Sequence, residues 1–166
     1  MYNAAPPVPE DSGLAAFRAA TNVSRETLER LEAYADLLRK WAKRVNLVGE
    51  STLDDLWRRH MLDSAQLWRH IPEDARVLVD FGSGAGFPGL VLAIMGIAET
   101  HLIESNHRKG TFLREVARIT GAPVTVHTAR AEALSGWQAD IVTARALAPL
   151  PILLEYAAPF ATPRTL

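Results

Sequence analysis

The sequence predicts an α/β fold: a parallel sheet crossed by helices and preceded by a helical N-terminal extension. Three observations predict it. Residues 77–89 read Val-Leu-Val-Asp-Phe-Gly-Ser-Gly-Ala-Gly-Phe-Pro-Gly, an apolar strand that runs into a glycine turn and on into the apolar stretch Leu90-Val91-Leu92-Ala93-Ile94. From Arg76 onward, short strand-like runs alternate with helix-length stretches, an order that implies parallel strands joined by right-handed crossovers. Before Pro72, apolar residues recur at three- and four-residue steps, the period of one helix face.

Taken in order, residues 1–13 hold Pro6, Pro7, Pro9 and Gly13 and are expected to form a mobile tail. Residues 14–72 are expected to be a wholly helical extension. Ser24 suits an N-cap, with Glu26 in the first turn. Leu28, Leu31, Ala35, Leu38, Trp41 and Val45 form the apolar stripe of that helix, and Asn46-Leu47-Val48-Gly49 breaks it. Ser51 with Asp54, or Thr52 with Asp55, starts the next helix, whose stripe is Leu53, Leu56, Trp57, His60, Ser64, Leu67 and Trp68. Pro72 ends it. Residues 73–166 then form the sheet domain, with strands expected at 76–81, 100–104, 123–127 and 140–144. Helices are expected at 87–96 and 107–120, a short piece at 130–135, and a last one at 150–160 after Pro149 and Pro151.

Composition narrows the classes. Of 166 residues 48% are hydrophobic, enough for one sizeable core. The absence of cysteine excludes disulfides and thiolate metal sites and fits a reducing, cytoplasmic compartment. The longest apolar stretch, Phe87 to Ala98, is too short and broken to span a bilayer, and no basic-then-apolar signal opens the chain. Eighteen basic against nineteen acidic residues give a net charge of −1, so the distribution of charge matters more than its sum. Basic residues gather at Arg39, Lys40, Lys43 and Arg44, at Arg58 and Arg59, and at His107, Arg108, Lys109, Arg114 and Arg118. On one side of the molecule they would track phosphates; taken singly they are solvated helix faces.

The glycine turn admits two ligands, besides the bland reading of a turn with none. Gly84-Ala85-Gly86-Phe87-Pro88-Gly89 satisfies the dinucleotide pattern G-x-G-x-x-G. Asp80-Phe81-Gly82-Ser83-Gly84-Ala85-Gly86 satisfies the S-adenosylmethionine pattern of an acid, one residue, then G-x-G-x-G. Register favours the methyl donor. The first glycine after the strand is Gly82, and counted from it the third glycine place of the dinucleotide pattern falls on Phe87. Asp80 would repel a pyrophosphate but attract a sulfonium or an ammonium. The second strand ends in Glu104, 22 residues after Gly82, where a carboxylate can accept both hydroxyl hydrogens of a ribose. Glu104 supports either nucleotide. His60, Asp63 and Ser64 stand at i, i+3 and i+4 of one helix. One histidine and one carboxylate make an incomplete metal site, so a buried histidine bonded to a neighbour is expected and no metal. Asn46 fits a turn residue better than a substrate contact.

Several segments in this order resemble one bacterial family. They are Leu38-Arg39-Lys40-Trp41-Ala42-Lys43-Arg44-Val45-Asn46-Leu47-Val48, Arg59-His60-Met61-Leu62-Asp63-Ser64, the turn Asp80–Gly89, Lys109-Gly110-Thr111-Phe112-Leu113-Arg114-Glu115-Val116, Ala129-Arg130-Ala131-Glu132, and Thr143-Ala144-Arg145-Ala146-Leu147-Ala148-Pro149-Leu150. Together, over residues 30–160, they resemble the RsmG family, also called glucose-inhibited division protein B. The resemblance implies a Rossmann-like class I S-adenosylmethionine-dependent methyltransferase fold with the N-terminal helical extension. The chain stops at Thr165-Leu166, before the fifth strand the family would add, so C-terminal strands are expected to be missing and the sheet incomplete.

The resemblance also implies roles. Gly82, Ser83, Gly84 and Phe87 would line the methionine end of the cofactor, with Asp80 and Gly86 also among the cofactor-binding residues. Glu104 and Ser105 would hold the ribose, where relatives often carry Asp-Ser. Ala131 and Glu132 would meet the adenine, largely through backbone groups. Arg145 would lie at the pocket mouth and act on the substrate, as a guanidinium suits a guanine O6 edge or a phosphate; its structural alternative is a salt bridge to Asp80 or Asp140. The implied reaction is methyl transfer to guanine N7 of small-subunit ribosomal RNA, free or in an assembling subunit, by a monomeric cytoplasmic enzyme. N7 carries its own lone pair, so alignment rather than a general base is required. Three alternatives stand beside it: a methyltransferase for another substrate, an NAD-dependent oxidoreductase, and a non-catalytic ribosome-binding protein.

Overall fold

The computed structural model describes residues 12–166. The expected mobile tail falls mostly on residues 1–11, which lie outside the described residues. Ser12 and Gly13, counted with that tail on composition, instead open helix α1 (Ser12–Ala20). They are recruited because the helix has an anchor: Phe17 is fully buried and meets Trp57 edge-on, ring centroids 5.2 Å apart.

Helix α2 (Arg25–Ala42) starts at Ser24, whose side chain accepts from the Thr27 amide as expected of an N-cap. It buries Leu31, Tyr34, Ala35 and Leu38. Helix α3 (Glu50–Leu53) is capped by Gly49, not by Ser51 or Thr52. Thr52 cannot cap here because its hydroxyl turns back and donates to the Gly49 carbonyl at 2.7 Å. The chain continues through a wide π-helical turn, Trp57–Leu62, a short α4 (Asp63–Ala65) and a 3₁₀ turn, Gln66–His70. The π turn holds more residues per revolution than an α-helix. The buried set accordingly becomes Leu56, Trp57, Met61, Ser64 and Ala65, while Leu67 and Trp68, expected on the stripe, are exposed.

Four strands follow: β1 (Val77–Phe81), β2 (Glu99–Ile103), β3 (Val124–His127) and β4 (Ile141–Ala144). All pair in parallel, in the order β3-β2-β1-β4. Helices α5 (Gly89–Met95) and α6 (His107–Thr120) occupy the first two connections, a 3₁₀ turn at Ala131–Ala133 lies in the third, where a short piece was expected, and α7 (Leu150–Ala157) follows β4. The strand order reverses beside β1, so the crevice at the strands' carboxyl ends lies where open α/β sheets bind ligands.

Strand pleating divides the core. Leu102 faces the helices and joins Phe17, Leu31, Tyr34, Leu38, Leu90, Ile94, Phe112 and Val116 in one cluster. The helical extension and the sheet therefore share a core. Val79, Phe81 and Ile103 face the other way, against Phe160 and Ala139. Helix α5 packs flat on the sheet because Gly89 has no side chain: a Cβ there would lie 2.5 Å from Leu102 Cδ2 and 2.8 Å from Asp80 Cβ. Asp140 fastens β4 to the start of β1, its Oδ2 accepting from the Arg76 and Val77 amides at 2.8 and 2.9 Å. These bonds hold its carboxyl below the usual carboxylate range.

Phe17 is the contact that commits α1 to this core. Phe17→Ala is expected to destabilise the protein by about 3–5 kcal/mol, read as a lower midpoint of urea unfolding.

Candidate functional site

The turn after β1 carries positive φ at Gly82 (64°), Gly84 (56°) and Gly86 (101°), which folds its backbone tightly over the strand end. Above it opens a cleft of about 320 Å³, walled by Gly82 and Gly84 from this turn, Glu104 and Ser105 beyond β2, Ala131 and Glu132 beyond β3, and Ala146 and Leu147 beyond β4. Ile103, Lys109, Ala129, Arg130 and Tyr156 complete the wall. Six of the sequence-predicted residues thus meet at one cavity: Gly82, Gly84, Glu104, Ser105, Ala131 and Glu132.

Glu104 is the organised group of this cleft. It is buried, with its Oε2 accepting from the Gly84 amide at 2.9 Å and its Oε1 from the Asn106 amide at 2.7 Å. Each oxygen has a further lone pair. The carboxylate is therefore fixed by the backbone yet able to accept two more hydrogens, the requirement for a vicinal diol. Asn106 also caps α6, its side chain accepting from the Arg108 and Lys109 amides.

Five predicted residues do not line that cleft. Asp80 is fully buried, because pleating turns it toward α5 beside Leu102 rather than toward the crevice. Its Oδ1 accepts from Thr143 Oγ1 at 2.7 Å, and its Oδ2 has no hydrogen-bond partner. Burial raises its pKa from 3.8 to about 6, against the opposing pull of Thr143, Ser83, the Gly89 amide and Arg145. The acid thus lies beneath the turn, held by Thr143, and not on the cleft wall. Ser83 is also buried; its hydroxyl donates to the Asp80 carbonyl at 2.9 Å and its amide to the Ile103 carbonyl at 3.0 Å, joining the turn to β1 and β2.

Gly86, Phe87 and Arg145 lie on the other side of the turn. Tyr34, fully buried, donates its hydroxyl to the Ala85 carbonyl. Burial holds the phenol well above its ordinary pKa, so it remains a donor. The Phe87 ring stacks on Tyr34 at 5.4 Å and on His60 at 4.9 Å. Arg145 lies with its guanidinium carbon 5.3 Å from the Phe87 centroid, a cation–π distance. Its Nη1 donates to Asp63 Oδ2 at 3.3 Å and its Nη2 contacts His60 Nδ1 at 3.0 Å. The ion pair anticipated with Asp80 or Asp140 is therefore made with Asp63, which the π turn brings under the end of β4. His60 is half-buried rather than a core histidine. Burial first, and then Arg145, lower its pKa to about 4, leaving a neutral imidazole at neutral pH.

Sequence reasoning missed Tyr34, although it lies three residues after Leu31 on the same stripe. It missed the functional place of Thr52, and Leu147, which covers Gly82 so closely that a Cβ there would lie 2.7 Å from Leu147 Cδ1. Ala146, at φ 53°, makes the bend that sends Arg145 and Leu147 to different sides of the turn. Nothing in an alanine codon announces that bend. Among the described residues no group of three His, Asp or Glu side chains could hold a metal ion, and no helix is long and apolar enough to cross a membrane.

A cleft at a strand-order reversal, a glycine turn and an anchored acid after β2 are shared by many nucleotide-binding folds. Comparison with known proteins decides among them. The family model described as rRNA small subunit methyltransferase G matches residues 27–166. The chain belongs to the small-subunit ribosomal RNA methyltransferase G family. The methyltransferase G of Rhodospirillum centenum is 65% identical over 147 residues, 89% of this chain and 68% of that one. That of Rhodospirillum rubrum is 61% identical over 145 residues, 87% of this chain and 72% of that one. The crystal structure of ribosomal protein L11 methylase from Lactobacillus delbrueckii subsp. bulgaricus superposes with a TM-score of 0.57 over 65% of this chain and 57% of that one, at 14% identity, a likeness of fold. The methyltransferase G match begins inside α2 and therefore takes in both the Tyr34 contact and the cleft.

Asp80 has a consequence for stability. Its folded pKa is raised, so the folded state binds the proton more tightly, and its contribution is complete below about pH 4 and lost as pH rises toward 6. Asp80→Asn should therefore gain on the wild type between pH 4 and 6, by a total on the order of 2–3 kcal/mol, and hold that difference above. Urea unfolding of both proteins across pH 4–8 measures it.

Proposed function

We infer that this chain transfers the methyl group of S-adenosylmethionine to N7 of a guanine in small-subunit ribosomal RNA. The observation that carries the reading is Glu104, fixed by the Gly84 and Asn106 amides on the wall of a glycine-lined cleft, within a chain of this family.

The residues present fit an adenosyl cofactor. Gly82 and Gly84 offer backbone where a side chain would fill the cleft. Glu104 keeps one lone pair on each oxygen for the two ribose hydroxyls. Ala131 and Glu132 border the cleft from the β3 side, in reach of an adenine. When bound, S-adenosylmethionine supplies an electrophilic methyl group on a sulfonium. Arg145 stands across the turn from this cleft, and its remaining guanidinium hydrogens suit a guanine O6 or a phosphate oxygen. By holding the base edge it would set the line of attack, which is catalysis by orientation.

The site also fits a nucleophile that brings its own electron pair. His60 Nδ1 faces Arg145 and its Nε2 faces Thr52, Glu104 accepts from two amides, and Asp80 is sealed beneath the turn. None of the three is poised as a free base, and guanine N7 needs none. A cytoplasmic monomer acting on RNA or an assembling subunit completes the proposal. Lys109 and Arg130 at the cleft, with Lys40, Lys43 and Arg44 around the end of α2, are cations available to RNA phosphates.

Two measurements test it. Calorimetry should show binding of S-adenosylmethionine and not of NAD, and Gly84→Asp should abolish it, because a carboxylate there faces Glu104. Transfer of labelled methyl groups into ribosomal RNA, mapped by strand scission at 7-methylguanine, should fall by roughly 10²-fold in Arg145→Ala with donor affinity retained. NAD binding, or label in another atom, would overturn the reading.

A further inference from the structure

A row of hydrogen bonds runs from the helical extension to the end of β4, and its direction can be read from elementary donor and acceptor rules. Thr52 Oγ1 lies 2.7 Å from the Gly49 carbonyl, to which it can only donate. Toward His60 Nε2, 3.0 Å away, the same oxygen is therefore an acceptor, so Nε2 carries the proton. His60 Nδ1 lies 3.0 Å from Arg145 Nη2. A guanidinium has donors only, so Nδ1 is the bare nitrogen and accepts. The order is Arg145 to His60 to Thr52 to the Gly49 carbonyl, each group donating to the next. One backbone carbonyl thus selects the imidazole tautomer that can receive an arginine.

We propose that Thr52 and His60 are positioning residues that hold the Arg145 guanidinium at the mouth of the site in the orientation needed for the RNA base. The inference rests on the methyl-transfer reading above and deepens it. Four further observations support it. The His60 ring is clamped against Phe87, 21° from parallel, so the accepting lone pair has a fixed direction. Phe87 also lies under the guanidinium, so arginine and histidine share one aromatic floor. Ser64 donates to the His60 carbonyl at 2.6 Å, bracing the π turn that presents the imidazole. Asp63 takes a second Arg145 nitrogen at 3.3 Å. Two of five guanidinium hydrogens are engaged in this way, leaving three for a ligand, and about a third of the side chain's surface is accessible.

Three substitutions separate positioning from packing. His60→Phe keeps a ring on Phe87 but has no acceptor for Arg145. His60→Asn sets an amide oxygen near the place of Nδ1 and restores one. Thr52→Val leaves Nδ1 in place but removes the group that selects its bare state.

The experiment uses the full chain labelled with ¹⁵N-histidine, and in parallel steady-state methyl transfer to ribosomal RNA with calorimetry of S-adenosylmethionine. The His60 resonances, assigned by their loss in His60→Phe, should show Nε2 protonated and Nδ1 bare at neutral pH. His60→Phe should lower kcat/KM for RNA by about 10²-fold while donor affinity and thermal unfolding stay near wild type. His60→Asn should recover part of that loss, and Thr52→Val should fall between. A protonated Nδ1 overturns the proposal, as does a His60→Phe protein with wild-type kinetics. Donor affinity that falls in step with activity overturns it too, since that is the mark of a merely structural role. If the wild-type chain methylates no guanine, the functional reading fails by itself, and the tautomer spectrum still decides the hydrogen-bond row.

Discussion

One buried hydroxyl ties the two halves of this protein together. Tyr34 reaches from α2 across the core and donates to the Ala85 carbonyl inside the glycine turn. A turn dominated by glycine has few side chains with which to hold its own shape. The order has to be imposed from outside. Tyr34 imposes it from below, Ser83 from within through the carbonyls of Asp80 and Ile103, and Leu147 from above. A buried carbonyl left without this donor would carry a desolvation penalty of about 1–3 kcal/mol. The helical extension is therefore part of the site's frame: without α2 the turn loses the group that fixes it.

Much of this architecture is legible in the sequence because its signals are periodic. The four strands and the helices between them fall within a residue or two of where apolar runs and punctuation put them, and Ser24 caps as its type suggests. Gly82, Gly84 and Glu104 were readable because they sit just past the ends of β1 and β2, where open α/β sheets bind ligands; Ser105, Ala131 and Glu132 followed from the family resemblance. What was not legible depends on geometry that no single residue encodes. The π turn at Trp57–Leu62 shifts every later side chain around its axis, and this moved Leu67 and Trp68 outward and Asp63 toward Arg145. Asp80 belongs to a pattern shared by many cofactor turns, yet strand pleating points it into the core, where Thr143 rather than a ligand receives it. Ser12 and Gly13 look like tail until Trp57 is known to offer Phe17 a ring to pack against.

The glycine turn has two working sides, and the sheet explains why. The β4 strand ends next to β1, so the residues after it can descend on either side of the turn. The bend at Ala146 uses both: Leu147 goes over the glycine-lined cleft, Arg145 toward His60 and Phe87. The cleft and the Arg145 cluster thus share one loop, and displacement of either would be felt by the other. The aromatic stack Tyr34–Phe87–His60 runs through the same region. It links the α2 helix, the turn and the π turn through stacked rings.

The anchoring of Glu104 has a thermodynamic side. A free glutamate loses up to about 2 kcal/mol of rotamer entropy when it is immobilised. Here that loss is incurred during folding, because the Gly84 and Asn106 amides already hold both oxygens. On the proposed reading, a ribose arriving at this carboxylate would meet an acceptor already fixed in place, so its association would be favoured by preorganisation rather than by additional contact area. Such a site is expected to retain affinity for truncated nucleosides that keep the diol, and to lose it for deoxy analogues, whose absent hydroxyl leaves a fixed lone pair with nothing to accept.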